Sequence, residues 1–238
     1  MNQEFLATLQ KKEADYEAIF RKLHKGVVST NALIGQDLAK IDNTTREALV
    51  TTYKSLLDEE LKEVGEAIEK EDKVNLLGEL IDVLVVGGFC YYLNTGKVYE
   101  YAYSYNDLGA AFDILLKTKS VSTALHYTQA ILQQMDCDVD KGVDAILKAN
   151  LSKFATLEEL SFALDPLELE DKDHNYVQEQ IKLLEQGGRY GEVSAEIVTD
   201  DNGEERYVFW SGTVYGKSNK KYLKAKSFVE SDLTACWK

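Results

Sequence analysis

The chain has 238 residues, 45% of them apolar, and a formal net charge of −14. That length supports one sizeable core or a domain with an appendage, and the diffuse negative charge argues against a nucleic-acid-binding role. A single proline, Pro166, favours long helices over a loop-rich all-β fold. Cys90, Cys137 and Cys236 are odd in number and far apart. They fit neither a zinc site nor a disulfide framework, so a reduced, cytoplasmic chain is expected. Met1–Glu13 lacks the pattern of a signal peptide. The apolar run Val83–Leu93 is too short to span a bilayer, so no membrane partner is expected.

In chain order, periodicity and breakers predict helices over about 2–24, 44–70, 73–94, 106–135 and 139–153. Asn43-Thr44-Thr45 supplies a cap for the second helix, and Asp107 stands near the start of the fourth. Asn94-Thr95-Gly96 ends the third. Asp165-Pro166 breaks the pattern, and Asp171–Gln186 reads as a further helix ending at Gly187-Gly188. Glu192–Thr199 then alternates like a half-buried strand, Asp200-Asp201-Asn202-Gly203 is a hairpin turn, and Arg206–Trp210 returns. The expected organisation is a mainly α fold, with a helical bundle over 1–155, a helical connector over 156–188 and a small β-containing, Lys-rich tail over 189–238.

Two carboxylate pairs stand out. In the second helix, Glu60 and Glu63 lie three apart on the flank of an apolar stripe made by Leu57, Leu61, Val64 and Ile68. Glu59 and Glu66 point further toward the polar side. In the third helix, Glu79 and Asp82 are the only charged residues between Val74 and Leu93. A helix apolar on nearly every side is buried, and an unpaired buried carboxylate costs several kcal/mol or is neutralised by a pKa shift. Two facing helices, each offering such a pair, present hard oxygen ligands suited to Mg²⁺. The plain structural alternative for Glu79 and Asp82 is a buried salt bridge to Lys148 or Lys153. For Glu66, Glu69, Glu71 and Asp72 a solvated helix face suffices.

Glu59-Glu60-Leu61-Lys62-Glu63 followed by Glu79-Leu80-Ile81-Asp82 resembles the paired Glu-Glu-x-x-Glu and Glu-x-x-Asp signature of MazG-like nucleotide pyrophosphohydrolases. That all-α group includes dimeric dUTPases, dCTP pyrophosphatases and phosphoribosyl-ATP pyrophosphohydrolases. Lys148-Ala149-Asn150-Leu151-Ser152-Lys153 is similar to the Asn-x-x-Lys segment that often closes the site, although a basic last turn complementing the helix dipole explains the same residues. The stretch from Gly216 to Leu233 is similar, more loosely, to the tail of some phage-type members. Residues 1–44 and 96–107 match nothing in the group, and Ile81 stands where many members carry glycine, a departure toward the dUTPase-like and dCTPase-like branches.

The resemblance implies hydrolysis of a (deoxy)nucleoside triphosphate to monophosphate and pyrophosphate. Glu60, Glu63, Glu79 and Asp82 are then ligands to Mg²⁺, with Mn²⁺ as a substitute, and Glu59 is the base for the attacking water or a partner that orients a ligand. Lys153 and Lys148 meet phosphates, and Asn150 meets sugar or base. A homodimer or homotetramer is expected, because Leu84, Val85, Phe89, Tyr91 and Tyr92 point several ways around one helix. Narrower dUTPase or dCTPase activity and a non-catalytic nucleotide-binding helical protein are the alternatives. Lys217, Lys220, Lys221, Lys224 and Lys226 read as a positive flap or as solvated gatekeepers, and Tyr207, Phe209, Trp210 and Tyr215 as small-domain core rather than a stacking platform.

Overall fold

A computed structural model describes residues 3–7, 15–99, 105–164 and 175–237. The protein is mainly helical with one small antiparallel sheet. It divides into two compact units, one of residues 1–28, 36–147 and 232–238, the other of residues 29–35 and 148–231. The division therefore places 148–155 with the β-containing residues and 232–238 with the helices, unlike the boundaries at 155 and 188 expected above.

The first unit is built on a helical hairpin of α3 (Asn43–Glu69) and α4 (Lys73–Thr95). The three-residue connection is tight because Glu71 takes a left-handed conformation, φ 54°. Asp72 N–H donates to Ala67 O and Glu71 N–H to Ile68 O, the paired bonds of a Schellman stop. Asp72 at once caps α4, its carboxylate accepting from Val74 and Asn75 N–H. α3 is capped by Asp42, one residue earlier than expected, through Thr45 N–H at 2.7 Å. α4 ends at Gly96, φ 70°.

α4 is the central rod. Leu76, Leu77, Leu80, Ile81, Val83, Phe89 and Leu93 are fully buried. Its length and composition would allow it to cross a membrane, but most of it is enclosed by the unit's own helices. Around it stand α1 (Gln3–Ala7), α2 (Tyr16–Leu33, the last residues of which fall in the second unit), α5 (Leu108–Lys117), α6 (Val121–Leu132) and the first part of α7 (Val139–Leu151). The helix expected over 106–135 is two helices. Thr118 is extended, and Ser120 caps α6 by accepting from Thr123 N–H. The first helix was expected to stop near residue 24, but α2 runs to Leu33.

In the second unit, β3 (Glu205–Val214) is the central strand. β4 (Lys217–Leu223) lies along one side of it, and β1 (Tyr190–Gly191) and β2 (Ser194–Thr199) follow one another along the other. Tyr215 and Gly216 make the two-residue β3–β4 turn with φ 49° and 71°, as a type I′ hairpin requires. α8 (Leu157–Leu164) and α9 (Tyr176–Gln186) cover the sheet through Leu160, Tyr176, Phe209 and Leu223. Of the four aromatics expected as core, Phe209 is fully buried, Tyr207 and Trp210 are half-buried, and Tyr215 is exposed. The expected helix start and breaker at 165–174 lie outside the described residues.

Candidate metal centre

α3 and α4 run side by side, and their carboxylates meet where the hairpin's apolar seam opens toward solvent. Oxygens of Glu60, Glu79 and Asp82 all lie within 4.8 Å of one another, and all three residues are half-buried. The local cause is register. Leu57, Leu61 and Val64 of α3 are locked into the core, which turns Glu60 to the edge of the seam. On α4, Leu76, Leu80 and Val83 point inward and leave Glu79 and Asp82 on its single polar stripe.

The charge on these groups is costly. Burial first, then the carboxylates of Asp82, Glu63, Glu79 and Glu59, pushes Glu60 up to about 8. Burial and the charges of Glu63 and Asp82, with a hydrogen bond shared with Glu63, push Glu79 up to about 7. Asn75 works in the opposite sense, donating a side-chain hydrogen bond to Glu79 that favours its ionised form. This set of hard oxygens fits Mg²⁺ or Mn²⁺, because a divalent cation would relieve the repulsion that holds both pKa values high.

The structure thus brings Glu60, Glu79 and Asp82 together, with Glu63 within reach of Glu79 but itself exposed. Glu59 is exposed beside them and adds to the negative potential at Glu60. Lys148, Asn150 and Lys153 belong to the second unit. There Lys153 Nζ donates to Asn150 Oδ1 at 2.5 Å. Lys148, exposed, lines a cavity of about 560 Å³ with Leu151, Ser152, Phe162, Arg206 and Val229. Asn75 was missed from the sequence, although its spacing from Glu79 of four residues on one helix is the signal for such a bond. Of the tail lysines, Lys220 stands over the Trp210 ring at 4.3 Å and Lys224 over Phe228 at 3.9 Å.

Comparison with protein-family models, curated proteins and solved structures finds no match to this chain.

Proposed function

We propose that the protein is a Mg²⁺-dependent nucleoside triphosphate pyrophosphohydrolase of the MazG-like, all-α type. The observation that carries this reading is the convergence of Glu60, Glu79 and Asp82 on one point between two adjacent helices. The raised pKa values of Glu60 and Glu79 support it, since perturbed carboxylates concentrate at functional sites.

Glu60, Glu79 and Asp82, with Glu63 beside them, would hold the metal. When bound, Mg²⁺ supplies positive charge that neutralises the phosphates and acidifies a water. Asn75 orients Glu79 and favours its ionised form, against the larger effects of burial and neighbouring carboxylates. Glu59 accepts a proton from the attacking water. Lys148, Lys153 and Asn150 are assigned to phosphate and to sugar or base. Positioning and charge neutralisation account for most catalysis in chemistry of this kind, and none of these residues needs to form a covalent intermediate. The assembly is a homodimer or homotetramer, working in the cytoplasm.

The test is a panel of nucleoside and deoxynucleoside triphosphates incubated with Mg²⁺, following pyrophosphate and orthophosphate separately. Pyrophosphate and monophosphate should accumulate together and vanish with chelator. Diphosphate with orthophosphate as the main products rejects the reading. The same panel separates a broad enzyme from a dUTPase or dCTPase.

A further inference from the structure

The segment Asp232–Trp237 belongs to the first unit, although the 84 residues before it, 148–231, lie in the second. Its seat is specific. Leu233 and Cys236 are almost fully buried, 5% and 3% exposed. Asp232 accepts from Thr234 N–H at 3.0 Å and opens the 3₁₀ turn Thr234–Cys236. Lys141 Nζ donates to Ala235 O at 3.2 Å, and Asp138 N–H to Cys236 O at 2.8 Å. Cys137 and Trp237 form an antiparallel bridge, and Lys73 Nζ stands 4.9 Å from the Trp237 ring centre. The segment therefore ties the start of α7 to the start of α4.

A Cβ at Gly78 would lie 3.1 Å from Leu233 Cδ1, so the side chain sits directly on that glycine. At about 100° per residue, Gly78 is about 40° around α4 from Asp82, one turn earlier on the same side. On Gly78's other flank stand Leu77 and Ile81. There a Cβ at Gly142 of α7 would come within 3.0 Å of Ile81 Cδ1. Leu233 thus wedges between the seam that α4 makes with α7 and the polar stripe that carries Asp82, Asn75 and Glu79.

We infer that Asp232–Trp237 is a clamp that sets the position of the α4 carboxylates, with Leu233 as its positioning residue. The inference rests on the reading that Glu60, Glu79 and Asp82 hold a divalent metal. Like charges on α3 and α4 push the two ligand faces apart, and the clamp holds the turn 78–82 from the flank against that push. Mg²⁺ demands near-ideal octahedral geometry, so a shift of this turn costs affinity. By linkage, metal binding in turn tightens the clamp.

The experiment is Mn²⁺ titration of the full chain, followed calorimetrically and by the Mn²⁺ resonance signal. Leu233→Ala should bind Mn²⁺ on the order of 10-fold more weakly than the parent, the scale of losing support behind a ligand. Leu233→Met, which conserves volume, should keep the parent affinity. In a Trp210→Phe background Trp237 is the sole tryptophan, and its emission should shift on adding Mg²⁺. That shift should disappear in Glu79→Gln. If Leu233→Ala does not melt cooperatively, Trp237→Ala tests the same clamp and should also weaken Mn²⁺ binding. Parent-like affinity in the folded variant overturns the clamp while leaving the metal centre standing. A parent that binds no Mn²⁺ overturns both.

Discussion

Each unit gathers carboxylates at partly buried positions, and the two gatherings behave oppositely. In the second unit Arg206, its side chain 8% exposed, supplies the counter-charge. Its Nε donates to Asp200 at 2.8 Å and its Nη2 to Glu204 at 2.6 Å, while Nη1 donates to Phe154 O and stands 3.6 Å from Glu159. The guanidinium holds Asp200 below the usual carboxylate range. In the first unit the groups that raise Glu60 are burial and four other carboxylates. Arginine closes one cluster permanently, which is what a structural site needs. The other is left acidic and raised toward protonation, the condition expected of the cation site proposed for it when no cation is bound.

The sharpest break in this comparison is Arg206→Met. Removing one partner from a buried ionic network leaves Asp200 and Glu204 uncompensated and strips Phe154 O of its donor. A loss of about 3–5 kcal/mol is expected. Denaturant melts should show it equally in chelator and in Mg²⁺, because the proposed metal centre does not use this residue. A loss that Mg²⁺ reverses would contradict the division of roles.

The pH dependence should also split. In chelator, the folded state holds protons on Glu60 and Glu79 that the unfolded chain has released above about 4.5. The unfolded state therefore binds fewer protons between pH 4.5 and about 8, and stability falls as pH rises through that window. Saturating Mg²⁺ should abolish this fall. Asp200 has the opposite sign. Its contribution is present above its ordinary value of 3.8 and is lost as pH falls through its lower folded value. Urea midpoints from pH 3 to 9, with and without Mg²⁺, measure both limbs. A chelated protein whose midpoint rises from pH 5 to 8 would contradict the account of the first unit.

A smaller effect sharpens the second unit. Thr156 and Glu159 form a reciprocal capping box at the start of α8, Thr156 N–H to Glu159 Oε2 at 2.8 Å and Glu159 N–H to Thr156 Oγ1 at 3.1 Å. Thr156→Ala should cost about 1 kcal/mol. Because Glu159 also lies near Arg206, a double change with Arg206→Met should be less than additive. Full additivity would mean that Glu159 serves the helix cap alone.

These cases also show where sequence reasoning carries and where it stops. α3 and α4 were legible to within a residue at each end, because long runs with apolar patterning stop at the breaker Asn94-Thr95-Gly96; the cap that Asp72 supplies to α4 was not read, since the residue looked like part of a solvated face. The pair on α4 was legible because Glu79 and Asp82 are the only charged residues between Val74 and Leu93, and the pair on α3 because Glu60 and Glu63 flank an apolar stripe. The break at Thr118–Ser120 was not, since Ser and Thr are tolerated within helices and only tertiary packing selects a cap there. α8 falls within the connector expected to be helical but was given no bounds of its own, although Thr156-x-x-Glu159 announces its start. The burial of Arg206 and of Leu233 was illegible, because each depends on a partner far along the chain: Phe154 for the first, Gly78 for the second. Lys148, Asn150 and Lys153 were read from a local motif; Lys153 donates to the neighbouring Asn150 amide, and Lys148 lines a cavity with residues far along the chain.

If the first unit's acidic cluster holds a divalent cation, as proposed, Asp82→Asn reveals it most directly. The substitution keeps size and removes one of the charges that raise Glu60. Thermal scans of parent and variant, each in chelator and in Mg²⁺, decide the matter. In chelator the variant should melt at the parent's temperature or slightly above it, because like-charge repulsion is relieved. Mg²⁺ should raise the parent's midpoint by mass action and leave the variant's nearly unmoved. A variant that loses about 3 kcal/mol or more with or without metal would show instead that Asp82 is held by a structural ion pair, and the metal centre would have to be abandoned.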